Sequence, residues 1–68
     1  MTKLAKSFGE KFKVKRKETG LSQDEVALRS GIDRSYIGRI ERGEANITLE
    51  KVYLLAEVLN CKAHDLLP

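Results

Sequence analysis

Residues 22–40 read SQDEVALRSGIDRSYIGRI, a stretch that starts one helix, stops it and starts another within a few positions. Ser22 followed by Glu25 is a capping box, in which each side chain satisfies an orphan backbone N–H of the other residue. Val26, Ala27 and Leu28 are the inward residues of this helix, which ends near Ser30. Gly31 follows, able to take the left-handed backbone that a side chain would strain. Asp33 then caps a second run, Arg34 to about Arg42, with Ile37 and Ile40 inward and Gly43 closing it.

Two helices separated by a short turn containing glycine form a helix-turn-helix. Ala27 is small where the second helix of the pair crosses the first, and Ile37 and Ile40 anchor that second helix from beneath. Arg34, Ser35, Gly38 and Arg39 are left pointing outward. A protruding helix with a polar outer face and a free N-terminus is the shape that enters a major groove.

Outward from this pair the chain stays helical. Leu4, Phe8 and Phe12 recur at four-residue steps, which predicts a helix from about residue 4 to Thr19, stopped by Gly20. Thr48 with Lys51 is half of a capping signal, and Leu49, Val52, Leu55, Ala56 and Leu59 form a stripe running to Asn60. Ala63 to Leu67 adds a short final turn or helix. No alternation of the strand type persists, so the expectation is an all-α chain of five helices.

A chain of 68 residues is one small domain, 1–68, with the helix-turn-helix pair at about 22–42. At this size only ~60% of the unfolded surface is buried, and a partner subunit commonly supplements the core. Single Cys61 leaves no internal disulfide and suits a reducing compartment. The N-terminus lacks the apolar run of a signal peptide, and no segment approaches the ~20 apolar residues of a membrane span. Location in the cytoplasm, at the nucleoid, and no membrane partner are therefore expected. Residues 1–20 carry seven Lys/Arg against Glu10 and Glu18, while the remainder is slightly acidic. That asymmetry fits either a polyanion partner or a solvated lysine-rich helix.

The stretches FGEKFKVKRKETGLSQDEVA (8–27), SGIDRSYIGRIERGEANITLEKVYLLAEVLN (30–60) and HDLL (64–67) together resemble the lambda-repressor/Cro-like, or xenobiotic-response-element, helix-turn-helix family. The resemblance covers nearly the whole chain. It implies a compact five-helix DNA-binding domain, dimeric on double-stranded operator DNA, that regulates transcription as repressor or activator. Residues 32–52, IDRSYIGRIERGEANITLEKV, are most similar to controller proteins of restriction–modification systems, with phage-type repressors, antitoxins and stand-alone regulators overlapping. Two positions depart from the pattern: Ile47 stands where proline is common, and Lys15 where a large apolar residue is usual. The stem of Lys15 can still cover the core while its amine reaches water.

By the same resemblance Gln23 touches a backbone phosphate and buttresses the recognition helix. Arg34 and Ser35 lie where side chains reach base edges, and arginine is the common bidentate reader of guanine. Arg34 and Arg39 each read a base or hold a phosphate. Tyr36 meets the DNA backbone or packs its ring on its own domain. Arg42, Asn46 and Lys17 are phosphate candidates, and Arg16 and Glu41 pair to tie the first helix to the recognition helix. Contact with RNA polymerase is a further partner the resemblance allows.

Tyr53, Leu54, Val58, Leu66 and Leu67 exceed what one buried stripe can hold, so either residues 48–68 are a dimerisation region or the short C-terminal helix folds back to cover them. Cys61 and His64 are half of a zinc site without a second pair, so no metal or other cofactor is expected. No catalytic constellation is present, and the chain reads as a non-enzyme. The rival reading is a helix-turn-helix that binds protein without touching DNA. It would keep Ala27, Gly31, Ile37 and Ile40 but have no need of Gln23, Arg34, Arg39 and Asn46 together on the surface.

Overall fold

A computed structural model describes residues 2–68. Four α-helices follow in order: α1 (Lys3–Glu18), α2 (Gln23–Ser30), α3 (Arg34–Glu41) and α4 (Leu49–Val58). The chain is all-helical, with no strand among the described residues. Among the described residues there are four α-helices rather than the five helices expected, because Ala63–Asp65 makes only a 3₁₀ turn. The Asp65 carboxylate accepts the Lys62 N–H at 3.0 Å, and the next side chain, Leu66, is wholly buried, so the segment plugs into the core instead of extending.

Each helix start has a local cause. Thr2 accepts the Ala5 N–H at 3.0 Å, Thr48 accepts the Lys51 N–H at 3.3 Å, and Ser22 and Glu25 form the complete capping box. The backbone N–H of Ser22 and its hydroxyl hold the Glu25 carboxyl below its ordinary range. That contribution to α2 is present above the usual carboxylate range and fades as pH falls through it. Asp33, by contrast, does not cap α3: its carboxylate accepts the Ser35 hydroxyl instead. Between α2 and α3, Gly31 has φ 75° and donates its N–H to the Ala27 carbonyl at 2.9 Å. α4 ends at Val58, two residues before Asn60, which itself turns left-handed at φ 55°.

Phe8, Phe12, Val26, Ile37, Ile40, Val52, Leu55, Ala56, Leu59 and Leu66 make the core. Ala27 packs against it half-buried. Three apolar positions expected inside are exposed: Leu4, Leu28 and Leu49. Leu28 is two residues past the fully buried Val26, a rotation of about 200° that turns it to solvent. Leu4 and Leu49 open each helix beyond the point where a neighbour covers it, and both line one apolar groove with Phe8, Val52 and Leu67. Lys15 is half-buried, with its ammonium 3.4 Å from Glu18, and Ile47 packs against the core.

α1 meets α3 at Gly9, a position without any local sequence signal. A Cβ there would stand 2.3 Å from the Ile40 carbonyl oxygen and 2.9 Å from that of Glu41. Since both are backbone atoms, the helices must separate to admit one methyl group. Gly9→Ala is expected to destabilise the fold by about 1–3 kcal/mol, the usual cost of overpacking. Urea unfolding followed by circular dichroism measures this directly.

Candidate nucleic-acid interface

The outer surface of α3 is positioned by a polar cluster beneath it. Arg16, on the late part of α1, donates Nε–H to Glu41 Oε2 at 2.5 Å and Nη2–H to Oε1 at 3.1 Å. Its Nη1 donates to the Leu21 carbonyl at 2.9 Å, fixing the turn that leads into α2. Gln23, the first residue of α2, donates Nε2–H to Glu41 Oε1 at 3.0 Å. Arg16 and Glu41 are both buried, and no buried side-chain polar atom among the described residues lacks a partner. The cluster thus joins the end of α1, the start of α2 and the last residue of α3.

Ile37 and Ile40 lie underneath α3, wholly buried, while Arg34, Ser35 and Arg39 are exposed above. Arg34 Nε lies 2.6 Å from Asp24 Oδ1, an ion pair linking the first turns of α3 and α2. Arg39 donates Nη2–H to the Glu44 carbonyl at 3.2 Å, and Arg42 Nε lies 3.1 Å from the Glu44 carboxylate. The Tyr36 ring is half-buried, with the Lys51 ammonium 4.6 Å and the Arg39 guanidinium 5.7 Å from its centre. Asn46 is exposed in the loop after α3, and Lys17 is exposed near the end of α1.

Gly38 is not on the outer face, as its sequence position suggested, but buried. A Cβ there would approach Arg42 Nη1 to 3.1 Å and Gln23 Oε1 to 3.9 Å, so glycine makes room for both side chains to fold over the helix. Sequence reading also missed Asp24, Glu44 and Lys51 as neighbours of the interface. The available signal was charge: each sits in the first turn of a helix or just after one, opposite a cation or ring of the recognition helix. Exposed pairs of this kind are worth only ~0–1 kcal/mol, so they orient the arginines without locking them.

The apolar surface is arranged differently from the expected dimerisation patch. Tyr53, Leu54 and Leu67 are exposed at 61%, 36% and 40%. Leu66 is wholly buried and belongs to the core, and Val58 is half-buried against it. The 3₁₀ turn is the reason, since it directs Leu66 inward and leaves Leu67 outside. Leu4 and Leu49 take the vacated places on the surface beside Leu67.

Cys61 is half-buried, and burial, with the charge of Asp65, raises its thiol pKa against the opposing pull of Lys15. Such a thiol is a poor nucleophile at neutral pH. His64 lies 3.4 Å from Asp65 on the surface, and no group of three or more potential metal ligands occurs among the described residues. No helix described is long and apolar enough to cross a membrane.

Comparison with known proteins places these features in a family. The helix-turn-helix family profile matches residues 12–66. Control protein C.SmaI of Serratia marcescens is 47% identical over 47 residues, which are 69% of this chain and 56% of that protein. Among solved structures, the restriction–modification controller C.AhdI of Aeromonas hydrophila superposes with a TM-score of 0.88 at 39% identity, covering 91% of this chain and 94% of that one. The controller C.Esp1396I, solved as a tetramer on its natural 35-base-pair operator, gives a TM-score of 0.88 at 29% identity, covering 97% of this chain and 87% of its own.

The buried cluster makes a testable demand on stability. Arg16→Ala leaves the Glu41 carboxylate with Gln23 as its one remaining side-chain donor, and is expected to cost about 3–5 kcal/mol. That is a large part of the total of about 3–10 kcal/mol typical for a chain this long. Replacing both members, Arg16→Met with Glu41→Leu, should cost clearly less than Arg16→Ala alone. Urea midpoints of the three proteins give the comparison.

Proposed function

The chain belongs to the helix-turn-helix family, and from this premise we propose that it regulates transcription by binding double-stranded operator DNA as a homodimer. The observation that carries this reading is the division of α3 into two faces, with Ile37 and Ile40 wholly buried below and Arg34, Ser35 and Arg39 exposed above. With its N-terminal end entering the major groove, Arg34 and Ser35 meet base edges first. Arg39, one turn later, meets a base or a phosphate. Gln23 uses one amide hydrogen on Glu41 and retains a second for a phosphate oxygen. Arg42, Asn46 and Lys17 are assigned to phosphates, and Tyr36, its ring packed beside Lys51, to the sugar–phosphate edge.

Residues 48–68, joined by Leu4, supply the dimer surface in this reading, with Leu49, Tyr53, Leu54 and Leu67 as its apolar members. Two-fold symmetry then presents recognition helices to successive major grooves ~34 Å apart, on inverted half-sites. Similarity to C.SmaI and C.AhdI favours a controller role within a restriction–modification system over other regulators of this family. A dimer bound at such a site, at the nucleoid, meets RNA polymerase either as an obstacle or as a contact. Asp24, Asp33 and Glu44 near α3 favour the alternative of a protein ligand. Duplex affinity that falls steeply as salt rises supports DNA, whereas salt-insensitive or absent duplex binding supports the alternative.

Two substitutions separate specification from positioning. Arg34→Ala should cost ~1–3 kcal/mol on a site selected from random duplexes and little on unrelated DNA. Gln23→Ala should weaken both by similar factors. Equal losses on both DNAs for Arg34→Ala would reassign that residue to a phosphate; fluorescence anisotropy titrations supply the four affinities.

Leu54→Asp tests the dimer. The residue is partly exposed on α4, so a charge there should leave the helical circular dichroism intact. Sedimentation should show the variant as a monomer, and binding should fall to that of one half-site. Wild-type protein that stays monomeric at tens of micromolar and on DNA would refute the dimer.

A further inference from the structure

Asp24 has no part in the DNA contacts assigned above, yet among the described residues its carboxylate is the ion-pair partner of the Arg34 guanidinium. It lies in the first turn of α2, and its Oδ1 stands 2.6 Å from Arg34 Nε as an ion pair. The nearer carboxylate in sequence, Asp33, is turned away and occupied by the Ser35 hydroxyl. Both members of the pair are well exposed, at 63% and 75%, so the contact adds little to folding and is not explained by it. Its placement has a chemical consequence. A guanidinium carries five N–H donors in a planar fork, and the Asp24 carboxylate sits on its Nε side. The two terminal amino groups remain free, side by side, at the outer end of the side chain.

We infer that Asp24 is a positioning residue that makes Arg34 a base reader and excludes it from the phosphate backbone; this rests on the proposed DNA-binding function. Two free terminal N–H donors match the paired O6 and N7 acceptors of guanine. With the carboxylate on the Nε side, the outer end of the fork is the part turned to a partner, and its direction of approach is biased from α2, whose start is itself held by Gln23 and Glu41. A phosphate oxygen drawn to the same guanidinium would approach a second anion, the Asp24 carboxylate, while the guanine edge is uncharged. Asp24 therefore repels one class of contact and orients the side chain for the other.

The test is Asp24→Asn in the full chain, alone and combined with Arg34→Ala, on a duplex selected from random DNA and on unrelated duplex. Glu25 and Ser22 retain the capping box, so α2 keeps its start. Loss of a negative charge should raise affinity for both duplexes. The readout is the ratio between them and the base preference at the position that Arg34→Ala relaxes. Asp24→Asn should lower that ratio about fivefold, the lower end of the discrimination of a bidentate arginine–guanine pair. In the Arg34→Ala background it should not change the ratio. An unchanged ratio in the single variant, or an equal fall in both backgrounds, overturns the assignment of Asp24 while leaving DNA binding intact. A wild-type protein without preference for any duplex would instead overturn the regulator reading itself.

Discussion

Three N–H donors from two helices converge on the Glu41 carboxylate, and the placement of the recognition helix follows from that convergence. A buried carboxylate is tolerated only where donors surround it, so Arg16 and Gln23 cannot move away without a large cost. Arg16 belongs to α1 and Gln23 to α2, which means α3 is triangulated at its C-terminal end. Gly9 acts on the same crossing by steric means, two turns earlier on α1, where the Ile40 carbonyl oxygen nearly touches the glycine. One contact admits no atom between the helices and the other admits no separation. Together they set the angle at which the N-terminal end of α3 projects.

Gly9, Arg16 and Glu41, which set this geometry, are buried, while Arg34, Arg39 and Arg42 are exposed and held by weak pairs, and half-buried Gln23 bridges the two sets. The separation is physically sensible. A buried ion pair is rigid because breaking it strands a charge, whereas an exposed pair of ~0–1 kcal/mol exchanges readily for a new partner. Arg39 and Arg42 both turn toward Glu44, and Lys51 rests over Tyr36. On a duplex these contacts can be traded for phosphate oxygens without disturbing Ile37, Ile40 or the cluster around Glu41.

How much of this was legible in the sequence depended on whether the cause was local. The capping box at Ser22, the turn at Gly31 and the inward pair Ile37 and Ile40 are local in the chain, and each could be read directly. The need for glycine at position 9 lies in a carbonyl thirty-one residues away, and nothing near position 9 announces it. Leu66 and Leu67 are chemically identical neighbours; only the 3₁₀ turn decides that one enters the core and the other remains outside. Asp33 was a sound capping candidate that lost to Ser35, a hydroxyl two residues away competing for the same carboxylate. Candidate contact residues on the helix-turn-helix could be named from motif position. Their ion-pair partners Asp24 and Glu44 required knowing which helix starts and loop ends meet in space.

The apolar groove follows from the same limits of size. The first turns of α1 and α4 each carry an exposed leucine, Leu4 and Leu49, and Leu67 lines the same groove. Leu66, Val52 and Phe8 beside this groove are already committed to the core. Turning Leu66 outward to strengthen the patch would open a cavity beneath α4, and burying Leu67 as well would require a longer final helix than the 3₁₀ turn provides. The apolar surface that remains is therefore the residue of a packing problem solved for one copy, and the two-fold dimer proposed above would remove it from water at no cost to either core.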